Sequence, residues 1–175
     1  MKIGIALKEV FKDIIIDGIS VQYHFGDQQE LNAWVTSKML TKKQKYPLIW
    51  YVISPPEPQG NGKLRVDTQL ILFQGSKQEE LNTTRYEKAY LNYLEPLYTK
   101  VNQLLQNNKF VVLLDAFNGI RYKDEPNYGV EASDNFSASK TKTATIDIVD
   151  AKILRLKMDI NPDCLINPDC LINKN

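Results

Sequence analysis

Apolar residues recur at Ile3, Leu7, Val10, Phe11 and Ile14, a three-and-four spacing that predicts a helix with one buried face. Asp17-Gly18 is expected to stop it. From Ile19 the period changes to two: Ile19, Val21, Tyr23 and Phe25 alternate with Ser20, Gln22 and His24, as in a strand with one wet side. The alternation turns His24 toward solvent or a partner. Gly26-Asp27 ends the strand, and Asp27 with Glu30 has the spacing of a reciprocal helix cap. A second helix carrying Leu31, Trp34 and Val35 is expected to follow. It ends near the basic run Lys42, Lys43 and Lys45, where cations meet the negative end of the helix dipole.

Leu48 to Ile53 is continuously apolar and β-rich, which predicts a strand covered on both faces, or on one face and by a subunit contact. Pro55, Pro56 and Pro58 then oppose regular structure, and Asn61-Gly62 supplies a tight turn, so a long hairpin with a protruding loop is expected. Its return strand carries Leu64, Val66, Leu70 and Leu72 on one parity and Arg65, Asp67, Ile71 and Phe73 on the other. Thr84 and Glu87 match a capping box opening a helix to Asn107, with Tyr86, Tyr90, Tyr93, Leu97, Val101 and Leu104 on one stripe and Leu94, Tyr98 and Leu105 beside it. Pro96 inside it predicts a kink near Asn92. Phe110 to Leu114 reads as a strand and Asp115 to Thr141 as a long irregular stretch. Thr143 to Asp150 leads into a last strand that buries Leu154, Leu156, Met158 and Ile160, with a bulge expected near Asp150, where the alternation is less clean.

The fold class that follows is α+β: a mostly antiparallel sheet with helices packed on one face, in a single domain over residues 1–160, with a C-terminal arm over 161–175. A chain of 175 residues buries roughly 70% of its unfolded surface as one domain and needs no metal or disulfide to hold a core. The arm contains a duplication, Ile160-Asn-Pro-Asp-Cys-Leu165 followed by Ile166-Asn-Pro-Asp-Cys-Leu171. Each Asn-Pro-Asp favours a turn. The arm reads either as a solvated terminal tail or, on the strength of its Leu-Ile pairs, as one that orders against a neighbouring subunit.

Charge is nearly balanced, with 22 basic and 21 acidic residues, which argues against a protein whose affinity rests on many phosphate contacts. The apolar runs fall far short of the ~20 residues that span a bilayer, and the N-terminus carries no signal-peptide block, so folding in cytoplasm without membrane contact is expected. His24 is the one histidine, and Cys164 and Cys170 lie in the proline-broken arm, so neither supports nucleophilic chemistry or a four-ligand metal site. Gly60-Asn-Gly-Lys63 lacks the spacing of a phosphate loop, with Glu57 and Leu64 in place of the first glycine and the final hydroxyl residue. The one enzyme-like set is acidic: Asp115 at a strand end with Asp150-Ala-Lys152. That acid-x-lysine spacing resembles nuclease sites in which two carboxylates hold Mg²⁺ and the lysine steadies the scissile phosphate. A metal-dependent nuclease is therefore the alternative reading; the leading one is non-enzymatic, with no catalytic, cofactor-binding or metal residues.

The order of these elements resembles the tail terminator and tail completion proteins of bacteriophages. Pro47-Leu-Ile-Trp-Tyr-Val-Ile-Ser54, Val66-Asp-Thr-Gln-Leu-Ile-Leu-Phe73, Tyr93-Leu-Glu-Pro-Leu97 and the final Val149 to Ile160 carry the likeness. The resemblance spans residues 1–160 and is one of layout. It implies a structural virion protein of the neck or tail, assembled in the host cytoplasm into a homo-oligomeric ring. That ring would terminate the tail tube or join the tail to the head connector. Its implied partners are further copies of itself, the tail-tube protein and head-connector or portal-side proteins, with nucleic acid present only as DNA passing through the lumen. The 55–62 and 115–141 loops are the surfaces expected to meet neighbours.

Overall fold

A computed structural model describes residues 1–31, 33–34, 44–76, 81–116, 119–128 and 149–167. Helix α1 (Lys2–Phe11) is followed by a two-residue hairpin, β1 (Ile15–Ile16) and β2 (Ile19–Ser20), turning through Asp17 and Gly18 at φ 50° and 73°. Two successive positive φ values are the hairpin turn whose twist matches its strands, and Asp-Gly supplies them at little steric cost. Strand β3 (Gln22–Gly26) runs parallel to β4 (Leu48–Val52), and β4 pairs antiparallel with β6 (Lys63–Gly75). β6 pairs along its whole length with β9 (Val149–Ile160), from Leu64 opposite Ile160 to Gly75 opposite Val149. The far side of β9 holds β7 (Val111–Leu113) at one end and β8 (Tyr122–Tyr128) at the other. The fold is therefore α+β, with a mostly antiparallel sheet ordered β3-β4-β6-β9-β7.

The period-two reading of β6 and β9 fixes which side chains enter the core. Val66, Leu70 and Leu72 of β6 meet Leu154, Leu156, Met158 and Ile160 of β9 on the face covered by α1 and by the long helix. On the other face Ile71 and Phe73 join Leu48, Trp50, Val149 and Ala151, and Leu31 and Trp34 from the helical segment after Asp27 cover them. β4 is consequently sealed on both sides, as its unbroken apolar run requires. The cap before that segment is present in both directions: Glu30 N–H donates to Asp27 Oδ1 at 2.9 Å and Asp27 N–H to Glu30 Oε2 at 2.8 Å. His24 sits on this side, exposed at its rim yet stacked on Trp50 with ring centroids 5.7 Å apart and touching Trp34.

The long helix departs from its expected form. It begins with α2 (Asn82–Arg85), with Leu81 rather than Thr84 before its first turn and no side-chain cap. It widens into a π-helical segment, Tyr86–Leu94, and continues as α3 (Glu95–Gln106). Where Pro96 predicted a kink, the helix before it opens to the next carbonyl: Glu95 N–H bonds Tyr90 O, five residues back. The proline ring would crowd the carbonyl of Asn92 in a regular helix, and the wider turn accommodates it. The wider turn also shifts the buried stripe to Ala89, Tyr90, Leu94, Leu97, Val101 and Leu105, leaving Tyr86 outside.

Three other expectations change. The proline loop holds a short strand, β5 (Glu57–Gly60), pairing with the start of β6 around the Asn61-Gly62 turn; it is an edge strand, where a missing amide is tolerated. The 115–141 stretch contains β8. Pairing of β9 with β6 is continuous through Asp150, and the irregularity lies in the facing strand, between Glu125 and Tyr128. The basic pair 42–43, residues 129–148 and the second hexapeptide from 168 onward lie outside the described residues.

The first hexapeptide is a helix start rather than a turn. Asn161 accepts from Cys164 N–H, Pro162 occupies the first turn, where its missing amide costs nothing, and Asp163 complements the dipole of α4 (Pro162–Ile166). The subunit itself holds this helix against α1. Pro162 and Cys164 are buried, Leu165 packs on the main core and Lys2 Nζ lies 2.6 Å from Asp163 Oδ1. The surface pair adds little, so the packing carries the attachment. Truncation after Ile160 should therefore leave a folded but weaker domain, losing about 1–3 kcal/mol for the uncovered apolar contacts. Urea denaturation with an unchanged midpoint would remove α4 from the subunit's stabilising contacts.

Candidate functional site

Charged residues enter the core where β9 begins. Asp150 and Lys152 share the inward parity of Leu154 and Leu156, and both are fully buried beneath the long helix. An isolated buried charge is too costly to persist, so each must be matched locally. Arg85, at the end of α2 and itself buried, brings Nε to 3.4 Å from Asp150 Oδ2. Two residues along β9, Lys152 Nζ lies 2.7 Å from Asp124 Oδ1 of β8 and 2.9 Å from Glu95 Oε1 at the start of α3. Its ammonium also stands 3.6 Å from the centre of the Tyr122 ring, with the Tyr98 ring at 5.6 Å.

Burial would lower the Lys152 pKa, but hydrogen bonds to Asp124 and Glu95 and their two charges outweigh it and hold the ammonium above the ordinary lysine range. Burial pushes the Tyr90 hydroxyl up, and the nearby Asp150 carboxylate adds to it. Tyr90 Oη is solvent-inaccessible without a hydrogen-bond partner among the described residues. Tyr98 has its own anchor, donating to Ile120 O at 2.9 Å. The cluster thus joins the long helix, β8 and β9 through matched charges and aromatic rings. Lys152 is already held by two carboxylates and a ring face, a geometry suited to fixing structure.

The sequence grouped Asp115 with Asp150 and Lys152, and the structure does not bring it to them. Asp115 follows Leu114, whose N–H donates to Lys157 O at 2.8 Å, so it sits near the opposite half of β9. At ~3.3 Å per residue, the seven positions from Asp150 to Lys157 amount to about 23 Å. Asp150 and Lys152 do lie together, but turned to different partners. Among the described residues no group of three histidine, cysteine or acidic side chains converges as metal ligands do. Cys164 is buried and is not a free thiol. Sequence reasoning missed Arg85, Glu95, Tyr98, Tyr122 and Asp124. A signal was available: carrying the β9 alternation back from Leu154 puts Lys152 and Asp150 inside, which demands opposite charges from facing elements.

A second feature lies where Asp115 is. Among the described residues, β9 has no outer strand partner between Leu154, opposite Tyr122, and Met158, opposite Leu113. The resulting notch between β7 and β8 has a volume of about 300 Å³, with Asp67, Asp115, Arg121, Arg155 and Lys157 around it and Leu113, Ile120 and Leu156 among its apolar lining.

Breaking the buried pair should cost more than removing it. Asp150→Ala leaves the Arg85 guanidinium buried without its carboxylate and should destabilise by about 3–5 kcal/mol, whereas Arg85→Met with Asp150→Leu should recover most of that loss. A double-mutant cycle in urea measures the difference. The pH dependence follows from the raised Lys152 pKa: its stabilisation is complete below the unfolded lysine value of about 10.4 and is lost as pH rises through the folded value. Lys152→Met should accordingly flatten the alkaline arm of the stability curve. At the other end of β9, the hydrogen bonds from Arg65 hold Asp159 below the usual carboxylate range, so that contribution is present above pH ~4 and lost as pH falls further.

Compared with protein-family models, curated proteins and solved structures, the chain matches none of them.

Proposed function

We propose that this chain is a structural virion protein of a bacteriophage neck or tail, assembling into a homo-oligomeric ring that terminates the tail tube or joins the tail to the head connector. The reading starts from the layout resemblance. The observation that supports it best is the end of the sheet where Leu64 faces Ile160. There β5 borders β6 on one side and β7 borders β9 on the other. Among the described residues, two different short strand edges thus flank one end of the same sheet, and Val112 of β7 is 52% exposed. Unpaired edges template pairing with another chain. Setting the β7 edge of one copy against the β5 edge of the next makes a head-to-tail contact, and such contacts form rings when the rotation between copies closes. The twist of the sheet supplies a rotation at each step. The exposed β5–β6 hairpin would then lie at the subunit boundary, beside the tail-tube and connector partners that the ring reading requires.

Mass spectrometry of purified particles from a host carrying this gene should find the polypeptide at a ring's copy number. Particles without it would sink the reading. Native mass spectrometry should also detect closed oligomers, alone or on a tail or connector template, and Val112→Lys should reduce them without altering the monomer's thermal midpoint. A surface substitution on an edge changes stability by ~0.5 kcal/mol or less, so lost assembly with retained folding isolates the contact.

A further inference from the structure

We propose that the notch between β7 and β8 binds a small organic acid that has an apolar body and carries a hydrogen-bond donor beside its carboxylate. The gap exists because β7 and β8 together do not cover β9. Among the described residues it is bridged at its rims, by Arg155 N–H to Arg121 O at 3.0 Å and Leu114 N–H to Lys157 O at 2.8 Å. Between those bonds the notch reaches through the sheet to Ile120 and Leu156, both core residues. Its size lies at the lower end of small-molecule sites, which combine apolar walls with a few placed polar groups.

Charge selects the class of ligand. Arg121, Arg155 and Lys157 come together around one opening, and none makes an ion pair among the described residues. This contrasts with the next outward-facing residue of β9, Asp159, which Arg65 holds with two hydrogen bonds of 2.8 and 2.9 Å. Three cations around an apolar recess attract an anion, and the arginines present the planar fork that fits a carboxylate. Asp67 and Asp115 stand at the same opening, leaving one net positive charge. They disfavour a phosphate dianion or a nucleic-acid backbone and offer acceptors to a hydroxyl or ammonium next to the bound carboxylate. The ligand's body then covers the apolar floor.

Isothermal titration of the full chain with 3-phenyllactate, 3-phenylpropionate and 2-phenylethanol separates these contributions. The hydroxy acid should bind tightest, the acid lacking the hydroxyl about tenfold more weakly, and the neutral alcohol more weakly still; a tenfold step corresponds to ~1.4 kcal/mol. Arg155→Gln with Lys157→Gln should weaken both acids by about tenfold or more. All the substituted side chains are exposed, so the urea midpoint should hold and report intact folding. Asp67→Ala with Asp115→Ala, which removes both acceptors, should abolish the preference for the hydroxy acid. The proposal is overturned if the alcohol binds as well as the acids, if the Arg155/Lys157 variant keeps the parent Kd, or if neither acid binds at ~10 mM, a concentration far above typical site affinities.

Discussion

Two opposite charges at the start of β9 constrain how the long helix and β8 are attached to the sheet. Asp150 and Lys152 lie on the core face and are fully buried, so neither is stable there without a counter-charge. Arg85 answers the first from the end of α2; Glu95 and Asp124 answer the second from α3 and β8. Apolar packing alone would let a helix slide or rotate over a sheet at modest cost. Matched charges are less forgiving, because a displacement that breaks one pair strands an ion in the core. The eleven residues from Arg85 to Glu95 must therefore span a fixed interval above β9.

The π-helical segment fills that interval. Pro96 disfavours a regular turn before it, and the wider one from Tyr86 to Leu94 places Ala89, Tyr90 and Leu94 on the buried face while Arg85 and Glu95 remain over β9. Tyr90 follows from the same geometry, its hydroxyl buried close to the Asp150 carboxylate. Rings share the task of shielding the lysine: Tyr98 and Tyr122 pack with centroids 4.9 Å apart beside the ammonium. Two strongly polar positions thus occupy a core whose remaining inward residues on β6 and β9 are nearly all aliphatic.

β9 changes character along its length. Near Asp150 its inward face carries charge and its outward face is covered by Tyr128 and the Trp50 and Phe73 cluster. Beyond Leu154 the inward face is aliphatic and the outward face carries Arg155 and Lys157 in the open and Asp159 paired with Arg65. β8 covers the first half and β7 the second, and the notch lies between them. A strand with one uniform pattern would have suited one continuous partner; this one is bordered by two short ones with a recess between them.

Much of this was legible in the residue pattern. Alternation set the faces of β6 and β9, the unbroken apolar run placed β4 inside, Asp27 and Glu30 marked a helix start, and Asp17-Gly18 and Asn61-Gly62 marked turns. These are local consequences of side-chain period and backbone preference, so the sequence carries them by itself. What it did not determine depends on residues distant in the chain. Asp115 and Asp150 look like a pair in sequence, but the antiparallel run of β9 separates them, while Arg85, Glu95 and Asp124 arrive beside Asp150 and Lys152 only when the helix and β8 dock. The hexapeptide after Asp159 shows the same division: Asn-Pro-Asp is compatible with a turn or a helix start, and contact with α1 selects the helix. Backbone preference is settled within a few residues, whereas a buried charge or an exposed apolar segment is settled by whichever part of the fold lies against it.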